Sequence, residues 1–248
     1  ILFVMNSLEI FLLSINEGGN ILVNILVVND DGYQTDGIKI LAEAMKAYGN
    51  VYIVAPHNEQ SARSAAITIQ HTVKVHKHSE QLYSVEGTPA DCVRVAIKQL
   101  NLPIDLVVSG INNGFNIGID TIYSGTIGAA MQGLLYSLPS LAFSADYNDV
   151  ESSRREIDRT LQWIFNHKLY SNKWVLNVNF PASEFTESKD IKVTYVDIYR
   201  KDTLYESLEV DMLTDHEAVY QGYTSVTPLK LGNGDPQLNK ELLEKIKN

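Results

Sequence analysis

Apolar runs and amphipathic segments alternate along the chain, and the first of them predict a parallel βαβ unit. Residues 24–28 form an apolar run that is typical of a buried strand, and residues 36–45 repeat apolar side chains with the 3.6-residue period of an amphipathic helix. Residues 51–56 form a second apolar run after Gly49 and Asn50, which end the helix. A strand, a helix and a strand in this spacing favour a right-handed crossover and a parallel sheet.

The same patterns continue to about residue 181 and predict an α/β fold. Thr88, Pro89 and Asp91 form a typical helix start, with a cap, a proline and an acid in the first turn. The further predicted helices cover residues 88–100, 127–133, 150–167 and, helical or frayed, 239–248. The further predicted strands cover 71–76 and 81–86 as a hairpin, then 104–109, 139–144, 174–178, 192–199 and 218–227, with 200–213 irregular.

Three regions follow from where this alternation begins and stops. We predict an N-terminal leader outside the fold over residues 1–22, a Rossmann-like domain over 23–181, and a strand-rich extension over 182–248 that packs or pairs with another chain. The leader lacks the basic segment and the cleavage site of a signal peptide, which is the alternative. Residues 17–19, Glu-Gly-Gly, can be encoded by a ribosome-binding sequence, so a translated leader with a native start at Val23 is preferred. A native N-terminal peptide that begins before Val23 would contradict this hypothesis.

Composition and charge narrow the class of protein. The 248 residues carry a formal net charge of −10, which argues against a general nucleic-acid surface because phosphate binding needs clustered Lys and Arg. No apolar run reaches the roughly 18 residues that span a bilayer. The single cysteine, Cys92, cannot form an internal disulfide, and a reducing cytoplasm is the expected location. Cys92 has no evident basic neighbour, which favours a packing role over catalysis.

Two adjacent carboxylates, Asp30 and Asp31, follow the first predicted strand and precede Gly32. Ligand sites in open α/β sheets collect at the carboxyl ends of strands. Adjacent carboxylates repel each other, so a cation is expected beside them, and a divalent metal is the first hypothesis. A solvated Asp-Asp-Gly turn is the alternative for this stretch taken alone.

Two long polar loops follow later predicted strands. Residues 56–68 form a loop with too many small apolar residues to be disordered, and long ordered loops are usually functional. Residues 110–120 are rich in Asn and Gly, which packing alone does not explain. Ser124, Gly125 and Thr126 then open a helix, where free amides, hydroxyls and the helix dipole favour an anion. A capped helix packed against the sheet is the alternative.

Five separated segments together resemble the SurE family, the survival-protein E nucleotidases. They are the Asn-Asp-Asp-Gly turn at 29–32, the loop at 55–68, Gly-Thr-Pro-Ala-Asp-Cys at 87–92, the Ser-Gly-Ile-Asn to Ser-Gly-Thr segment at 109–126, and Ser-Val-Thr-Pro-Leu at 225–229. Their order and spacing together are highly specific. The resemblance implies a Rossmann-like three-layer fold with a C-terminal extension that exchanges between the subunits of a homodimer or homotetramer.

The resemblance also implies a metal-dependent 5′-nucleotidase, which is a phosphomonoesterase acting on nucleoside monophosphates. By motif, the two catalytic residues are Asp30 and Asp31, and the implied metal ligands are Asp30, Asp31, Ser61 and Asn112. The phosphate-facing residues of the family correspond to Asn116, Ser124, Gly125 and Thr126.

Two positions depart from the family pattern. Ala62 stands where the family usually has Gly, which would stiffen the loop that presents Ser61. His216 stands one position before the His of many relatives, so a surface position is favoured over a functional one.

The implied ligand set agrees with the chemistry of phosphate ester hydrolysis. A lone general base contributes roughly 10²–10⁴-fold, which is too little for one of the slowest uncatalysed reactions. A metal that lowers the pKa of bound water contributes more, and a set of oxygen donors suits one Mg²⁺ or Mn²⁺ ion per subunit better than Zn²⁺. An aspartyl-phosphate at Asp30 is the less favoured route because the usual Asp-x-Asp arrangement of such nucleophiles is absent.

The sequence is also compatible with other functions. A non-catalytic nucleotide sensor would use the same loops, and other phosphomonoesters or short polyphosphate are alternative substrates. A dinucleotide-dependent oxidoreductase fits the fold, but no Gly-x-Gly-x-x-Gly follows the first strand. The expected partners are a nucleotide substrate and further copies of the chain, with no nucleic acid and no membrane.

Overall fold

The computed structural model describes residues 23–197 and 212–232, which contain a nine-stranded sheet. The strands are β1 (Val23–Val28), β2 (Gly49–Pro56), β3 (Val75–Lys77), β4 (Leu82–Val85), β5 (Leu106–Asn113), β6 (Ser140–Ala145), β7 (Val175–Asn179), β8 (Ile191–Val193) and β9 (Thr224–Leu229). Their order in the sheet is β3-β4-β2-β1-β5-β6-β7-β9-β8, and the six strands from β4 to β7 run parallel. The predicted α/β fold with a parallel sheet is confirmed.

Helices cover both faces of this sheet, as the nearly continuous burial of its central strands requires. They are α1 (Asp36–Met45), α2 (Pro89–Arg94), α3 (Asp120–Tyr123), α4 (Gly125–Leu135), α5 (Ser153–Asn166) and α6 (Asp215–Tyr220). Ile25 and Val27 of β1 share one core with α1 and α5, whereas Leu26 and Val28 share the other with α2 and α4. The sheet is therefore the middle of three layers.

A crevice lies at the carboxyl ends of β1 and β5, where the order of the strands in the sheet reverses. β1 pairs with β2 on one side and with β5 on the other, so the chain moves outward in both directions from this central pair. Such a switch point is where open α/β sheets bind ligands. Asp30 and Asp31 follow β1, and Asn112 and Asn113 end β5, so both pairs reach the same edge of the sheet.

Several predicted elements are confirmed, with shifted ends. β3 and β4 form the predicted antiparallel hairpin, and Thr88 caps α2 through a reciprocal pair of hydrogen bonds with Asp91. The predicted helix to Leu100 is present, but α2 gives way to a π-helical turn over Val95–Gln99. The predicted helix over 150–167 is present as a short 3₁₀ turn followed by α5. Cys92 is fully buried, as its predicted packing role requires.

The end of β5 differs from the prediction. The sequence predicted a loop from Gly110, yet the strand continues to Asn113 through an irregularity between Ser109 and Asn112. Gly110 adopts φ +127°, and Ile111 is completely buried. A Cβ on Gly37 would lie 2.1 Å from the carbonyl oxygen of Ile111, so α1 packs directly against this backbone. The packing of α1 against the Ile111 backbone therefore accompanies the extension of β5 beyond the predicted end of the strand.

The predicted strand over 218–227 is wrong in its first half. Residues 215–220 form α6, because Thr214 Oγ1 accepts a hydrogen bond from the Glu217 amide and the Glu217 carboxylate accepts one from the Thr214 amide. Gly222, at φ +86°, then turns the chain into β9. The strand predicted over 192–199 is also shorter, since β8 ends at Val193, and residues 198–199 lie outside the described residues.

The described residues beyond 181 extend the same sheet. β9 pairs antiparallel with β7, and β8 pairs parallel with β9. The boundary at residue 181 and the use of this region for oligomerisation stay predictions. The predictions for residues 1–22, for nearly all of 200–213 and for 239–248 fall outside the described residues. In the part of the chain that is described, no helix is long and apolar enough to cross a membrane.

Candidate active site

Asp30 is a buried carboxylate at the end of β1, and the N-terminus of α4 holds it. Only 3% of the residue is exposed, and Thr126 Oγ1 donates a hydrogen bond to Asp30 Oδ1 at 2.5 Å. Burial raises the pKa of Asp30, while hydrogen bonds from the Thr126 hydroxyl and from the amides of Thr126 and Gly125 oppose that rise. The carboxylate therefore enters the crevice in one fixed orientation.

Gly125 allows α4 to approach this carboxylate closely. A Cβ built on Gly125 would lie 2.9 Å from both Cβ and Oδ2 of Asp30 and 3.1 Å from Cγ of Pro89. Any larger residue would therefore displace Asp30 or the helix. Ser124 caps α4, because its Oγ accepts a hydrogen bond from the Ile127 amide at 3.1 Å. The helix dipole adds a favourable field for negative charge at this position.

Asp31 shares the crevice but is less tightly enclosed. Its Oδ2 accepts a hydrogen bond from the backbone amide of Asn113 at 3.2 Å, which joins the ends of β1 and β5. Burial first, and then the charge of Asp30, raise the pKa of Asp31 to about 6, with a smaller contribution from Glu59. The crevice therefore concentrates negative charge that has to be neutralised for both aspartates to ionise.

Asn29 shapes the turn that presents the two aspartates. Its side-chain Oδ1 accepts from the Gly32 amide at 3.2 Å, and its Nδ2 donates to the Gly32 carbonyl at 2.9 Å. Gly32 adopts φ +110°, a conformation that favours glycine. Asn29 and Gly32 therefore fix the shape of the turn that holds Asp30 and Asp31.

The 56–68 loop brings Ser61 close to the end of β1. The backbone amide of Gln60 donates to the Asp30 carbonyl at 2.7 Å, so Ser61 follows a residue that is hydrogen-bonded to Asp30. Ser61 is exposed, and its Oγ donates to Glu59 Oε1 at 2.8 Å. Further along, the Ser64 hydroxyl donates to the Ile122 carbonyl at 2.8 Å. The loop therefore crosses the crevice from β2 to α3.

Asn112 stands at the end of β5, next to the residue that binds Asp31. Its Nδ2 donates to the Gly114 carbonyl at 2.8 Å, which leaves its side-chain oxygen as a possible ligand atom. The four predicted metal ligands are therefore close in the chain to one another's partners. Ser61 follows Gln60, which bonds to Asp30, and Asn112 precedes Asn113, which bonds to Asp31.

The predicted phosphate-binding residues divide into two groups. Ser124, Gly125 and Thr126 lie at the N-terminus of α4, with the Thr126 hydroxyl occupied by Asp30. Asn116 is buried in the 110–120 loop, where its Nδ2 donates to Ser144 Oγ at 2.8 Å. Its backbone is held by the side chains of Asn177 and Asn179. A direct contact of Asn116 with phosphate stays a prediction.

The site fits a hard divalent cation. Neither aspartate forms an ion pair with a Lys or Arg among the described residues. The available atoms are two carboxylates, a hydroxyl and an amide oxygen, which suit Mg²⁺ or Mn²⁺ with waters completing the shell. Within residues 23–197 and 212–232, no three His, Cys, Asp or Glu side chains are grouped to hold a metal. The predicted ligands offer oxygen atoms only, whereas zinc sites in proteins favour His nitrogen and Cys sulfur.

Sequence reasoning did not identify three residues that contact the site or its loop. Asn113 binds Asp31 through its backbone, which leaves no pattern in the sequence. Glu59 lies near Asp31 and accepts from Ser61. Asp215 is fully buried and accepts a hydrogen bond from the Gly118 amide at 2.8 Å. Its position in a Thr-Asp-x-Glu helix start was the only local signal.

The fold and the site define a parallel α/β protein with an acidic ligand site at its switch point. Comparison with known proteins identifies its family, because the model described as Survival protein SurE matches residues 25–202. The chain therefore belongs to the SurE family. Proteins called 5′-nucleotidase SurE from Albidiferax ferrireducens and Clostridium botulinum are 38% and 39% identical to it, each match covering 84% of this chain and 92% of the relative. The crystal structure of SurE protein from Aquifex aeolicus matches 91% of this chain and all of that chain, with a TM-score of 0.77 and 33% identity.

Proposed function

We propose that this protein is a metal-dependent phosphomonoesterase that hydrolyses nucleoside 5′-monophosphates to nucleoside and phosphate. The observation that carries the proposal is the pair Asp30 and Asp31, which share a crevice without a cationic side chain paired to them among the described residues. The relatives' name, 5′-nucleotidase SurE, supports the same class of reaction. We infer the nucleotide substrate and the metal from these two lines together.

The proposed metal ligands are Asp30, Asp31, Ser61 and Asn112. A bound Mg²⁺ or Mn²⁺ would lower the pKa of a water molecule and offset negative charge on the phosphoryl group. The protein's own contribution begins with Asp30, whose orientation is already set by Thr126 before any ligand binds. A carboxylate fixed in this way does not need to reorganise during the reaction.

The N-terminus of α4 is the proposed phosphate-binding element. Negative charge spreads over the equatorial oxygens of the phosphoryl group as the bond to the leaving oxygen lengthens. The Ser124 hydroxyl and the helix dipole favour negative charge at this position, while the amides of Gly125 and Thr126 hold the Asp30 carboxylate beside it. Asn116 holds the loop on the far side of the crevice through its bonds to β6 and β7.

Phosphate release in the presence and absence of metal is the direct test. The purified chain is treated with a chelator and then incubated with a nucleoside 5′-monophosphate alone, with Mg²⁺ and with Mn²⁺. We expect phosphate release only when a divalent ion is present. No release with any divalent ion contradicts the enzyme, and nucleotide binding without release would favour the nucleotide sensor instead.

We also infer from the family resemblance that the protein forms a homodimer or a homotetramer through its C-terminal region. Light scattering of the purified chain measures its mass directly. A monomer at micromolar concentration would contradict this assignment.

A further inference from the structure

A cavity of about 620 Å³ is lined by none of the residues that have a role in the function proposed above. Its wall is formed by residues from four parts of the chain, which are Phe115 with residues 117–120, Asp146 with Tyr147, Asp197, and Thr214, His216, Glu217 and Tyr220. Small-molecule sites typically measure roughly 300–1,000 Å³, so the cavity is large enough for a nucleoside.

One segment of chain connects this cavity to the aspartates at both of its ends. At one end, Asn113 donates its amide to Asp31, and its Oδ1 accepts from the Asn148 amide at 2.7 Å, next to Tyr147 in the cavity wall. At the other end, α3 begins in the wall at Asp120 and leads directly to the N-terminus of α4, which binds Asp30. Residues 113–126 therefore join the cavity wall to both aspartates.

Aromatic rings form one part of the cavity wall. The Phe115 and Tyr220 rings meet edge to face with centroids 6.0 Å apart, and the His216 ring lies 4.7 Å from that of Tyr220. Tyr220 is 50% exposed and Tyr147 is 69% exposed, so both keep a ring surface available to a ligand. Planar bases stack on such surfaces irrespective of their identity.

Carboxylates form the other part of the wall. Asp120, Asp197 and Glu217 line the cavity, and its described lining residues include no Lys and no Arg. This charge repels a phosphate group, whereas it attracts groups that donate hydrogen bonds, such as ribose hydroxyls and the exocyclic amines of bases. The cavity thus suits the uncharged part of a nucleotide, and the N-terminus of α4 suits the charged part.

The wall is built from segments far apart in the chain and is held by Asp215. Its carboxylate accepts hydrogen bonds from the amides of Gly118, His216 and Asp197. These bonds fix the start of α6 against the 115–120 loop, which places Tyr220 beside Phe115. The cavity therefore exists before a ligand binds.

We propose that this cavity binds the nucleoside part of the substrate, with the base against Phe115 and Tyr220 and the ribose hydroxyls facing the carboxylates. The proposal rests on the proposed function, and it assigns the part of the substrate that the metal site does not contact. It identifies Tyr220 and Phe115 as determinants of substrate preference.

The test compares two substrates in variants of the aromatic wall. The ratio of kcat/KM for adenosine 5′-monophosphate to kcat/KM for glycerol 2-phosphate isolates the nucleoside contribution. Loss of one stacking ring in Tyr220→Ala should lower this ratio roughly 5- to 150-fold, mainly through KM for the nucleotide. Tyr220→Phe keeps the ring and should retain the ratio. An equal fall for both substrates, or an unchanged ratio in Tyr220→Ala, overturns the proposal.

Phe115→Leu tests the opposite side of the same wall and provides the readout if Tyr220→Ala does not fold. It should lower the ratio in the same direction, because leucine keeps an apolar side chain but removes the ring. A ratio equal to that of the wild type in a folded Phe115→Leu protein counts against the base position proposed here.

Binding of adenosine, which carries no phosphate, separates this proposal from the proposed function. Equilibrium dialysis with the wild type and Tyr220→Ala requires no turnover. If the wild type releases no phosphate yet binds adenosine, and Tyr220→Ala loses that binding, the nucleoside site stands and the phosphomonoesterase does not. If the wild type hydrolyses both phosphomonoesters and does not bind adenosine, the nucleoside site is overturned and the phosphomonoesterase stands.

Discussion

The two walls of the crevice differ in how firmly they are built. On the α4 wall, Asp30, Gly125 and Thr126 are all buried, and hydrogen bonds join the helix to the carboxylate. On the loop wall, Glu59 and Ser61 are exposed and bond to each other. Regions with few buried contacts open at a lower free-energy cost than those in the core. One wall therefore presents preorganised charge, while the other can adjust to a ligand.

Asp31 connects the ends of β1 and β5 between the two walls, and its loss should have the largest effect. We expect Asp31→Asn to lower metal-dependent phosphate release by more than the roughly 10–100-fold that loss of a supporting partner costs, while the fold is kept. Calorimetric titration with Mn²⁺ and a phosphate assay measure the two effects. Asp36→Asn removes an exposed acid paired with Lys39 and is the matched control. Unchanged turnover in Asp31→Asn would contradict the metal site.

Gly125→Ala tests whether the α4 wall is as rigid as its packing indicates. The added methyl group would lie 2.9 Å from Asp30, so the carboxylate must move. We expect metal affinity and activity to fall about 10–100-fold. Gly232→Ala is the control, because no atom of residues 23–197 or 212–232 lies within 4 Å of a Cβ at that position. Full activity in Gly125→Ala would show that the α4 wall yields as readily as the loop wall.

Thr126→Val removes the hydroxyl that orients Asp30 but keeps the shape of the side chain. The substitution leaves Asp30 Oδ1 without its closest donor, so we expect metal affinity to fall about 10-fold, the lower end of the range for a supporting partner. Thr126→Ser retains a hydroxyl and should restore most of the affinity. Equal affinities for the Val and Ser variants would show that the hydrogen bond does not set the orientation.

The raised pKa of Asp31 predicts how the free energy of unfolding depends on pH. Its pKa is raised from 3.8 to about 6, so its ionised form destabilises the metal-free fold above pH 6, by at most about 3 kcal/mol. This penalty is removed as the pH falls through 6. The metal-free wild type should therefore gain stability relative to Asp31→Asn between pH 7.5 and 5, in chemical denaturation. Saturating Mn²⁺ should reverse the slope, because the cation favours the ionised form. The same slope with and without metal would contradict the assignment.

The smallest effect is expected on the loop wall, at Ala62. This residue adopts φ +56°, in the left-handed region that costs a non-glycine residue roughly 1 kcal/mol. Ala62→Gly relieves that cost and should raise stability by up to about 1 kcal/mol, measured by denaturation. Ala65→Gly in the same loop has no such strain to relieve and should lower stability by about 0.4–1 kcal/mol. A loss in both variants would show that the strain at Ala62 is negligible.

Local patterns were sufficient to predict most of the fold and the position of the acidic pair. Apolar runs identify strands, and the ends of parallel strands meet at one edge, so Asp30 could be placed at the mouth of the sheet from sequence, while Asn112 was assigned beside it through the family resemblance. The extension of β5 through Ile111 could not, because it depends on the contact with Gly37 in another element. The occupation of the Thr126 hydroxyl by Asp30 was also hidden, since a hydroxyl at a helix N-terminus equally suits a cap or an anion.

The C-terminal region shows a second limit of sequence reasoning. Thr214 and Glu217 form a capping box that starts a helix, and this local signal overrides the period-two alternation over 218–227. The cavity wall that results joins α6 to the 115–120 loop through Asp215. No period or motif relates two segments so far apart, so only the structure brings Tyr220 to Phe115.

The bond between Gly118 and Asp215 has a consequence for how the protein is made. It joins residues 97 positions apart, and contacts of long sequence separation form late because closing a long loop is entropically costly. A ribosome delivers β1 and β5, with both aspartates, well before it delivers α6. During synthesis the chain therefore acquires its charged crevice first and the wall of the adjoining cavity last.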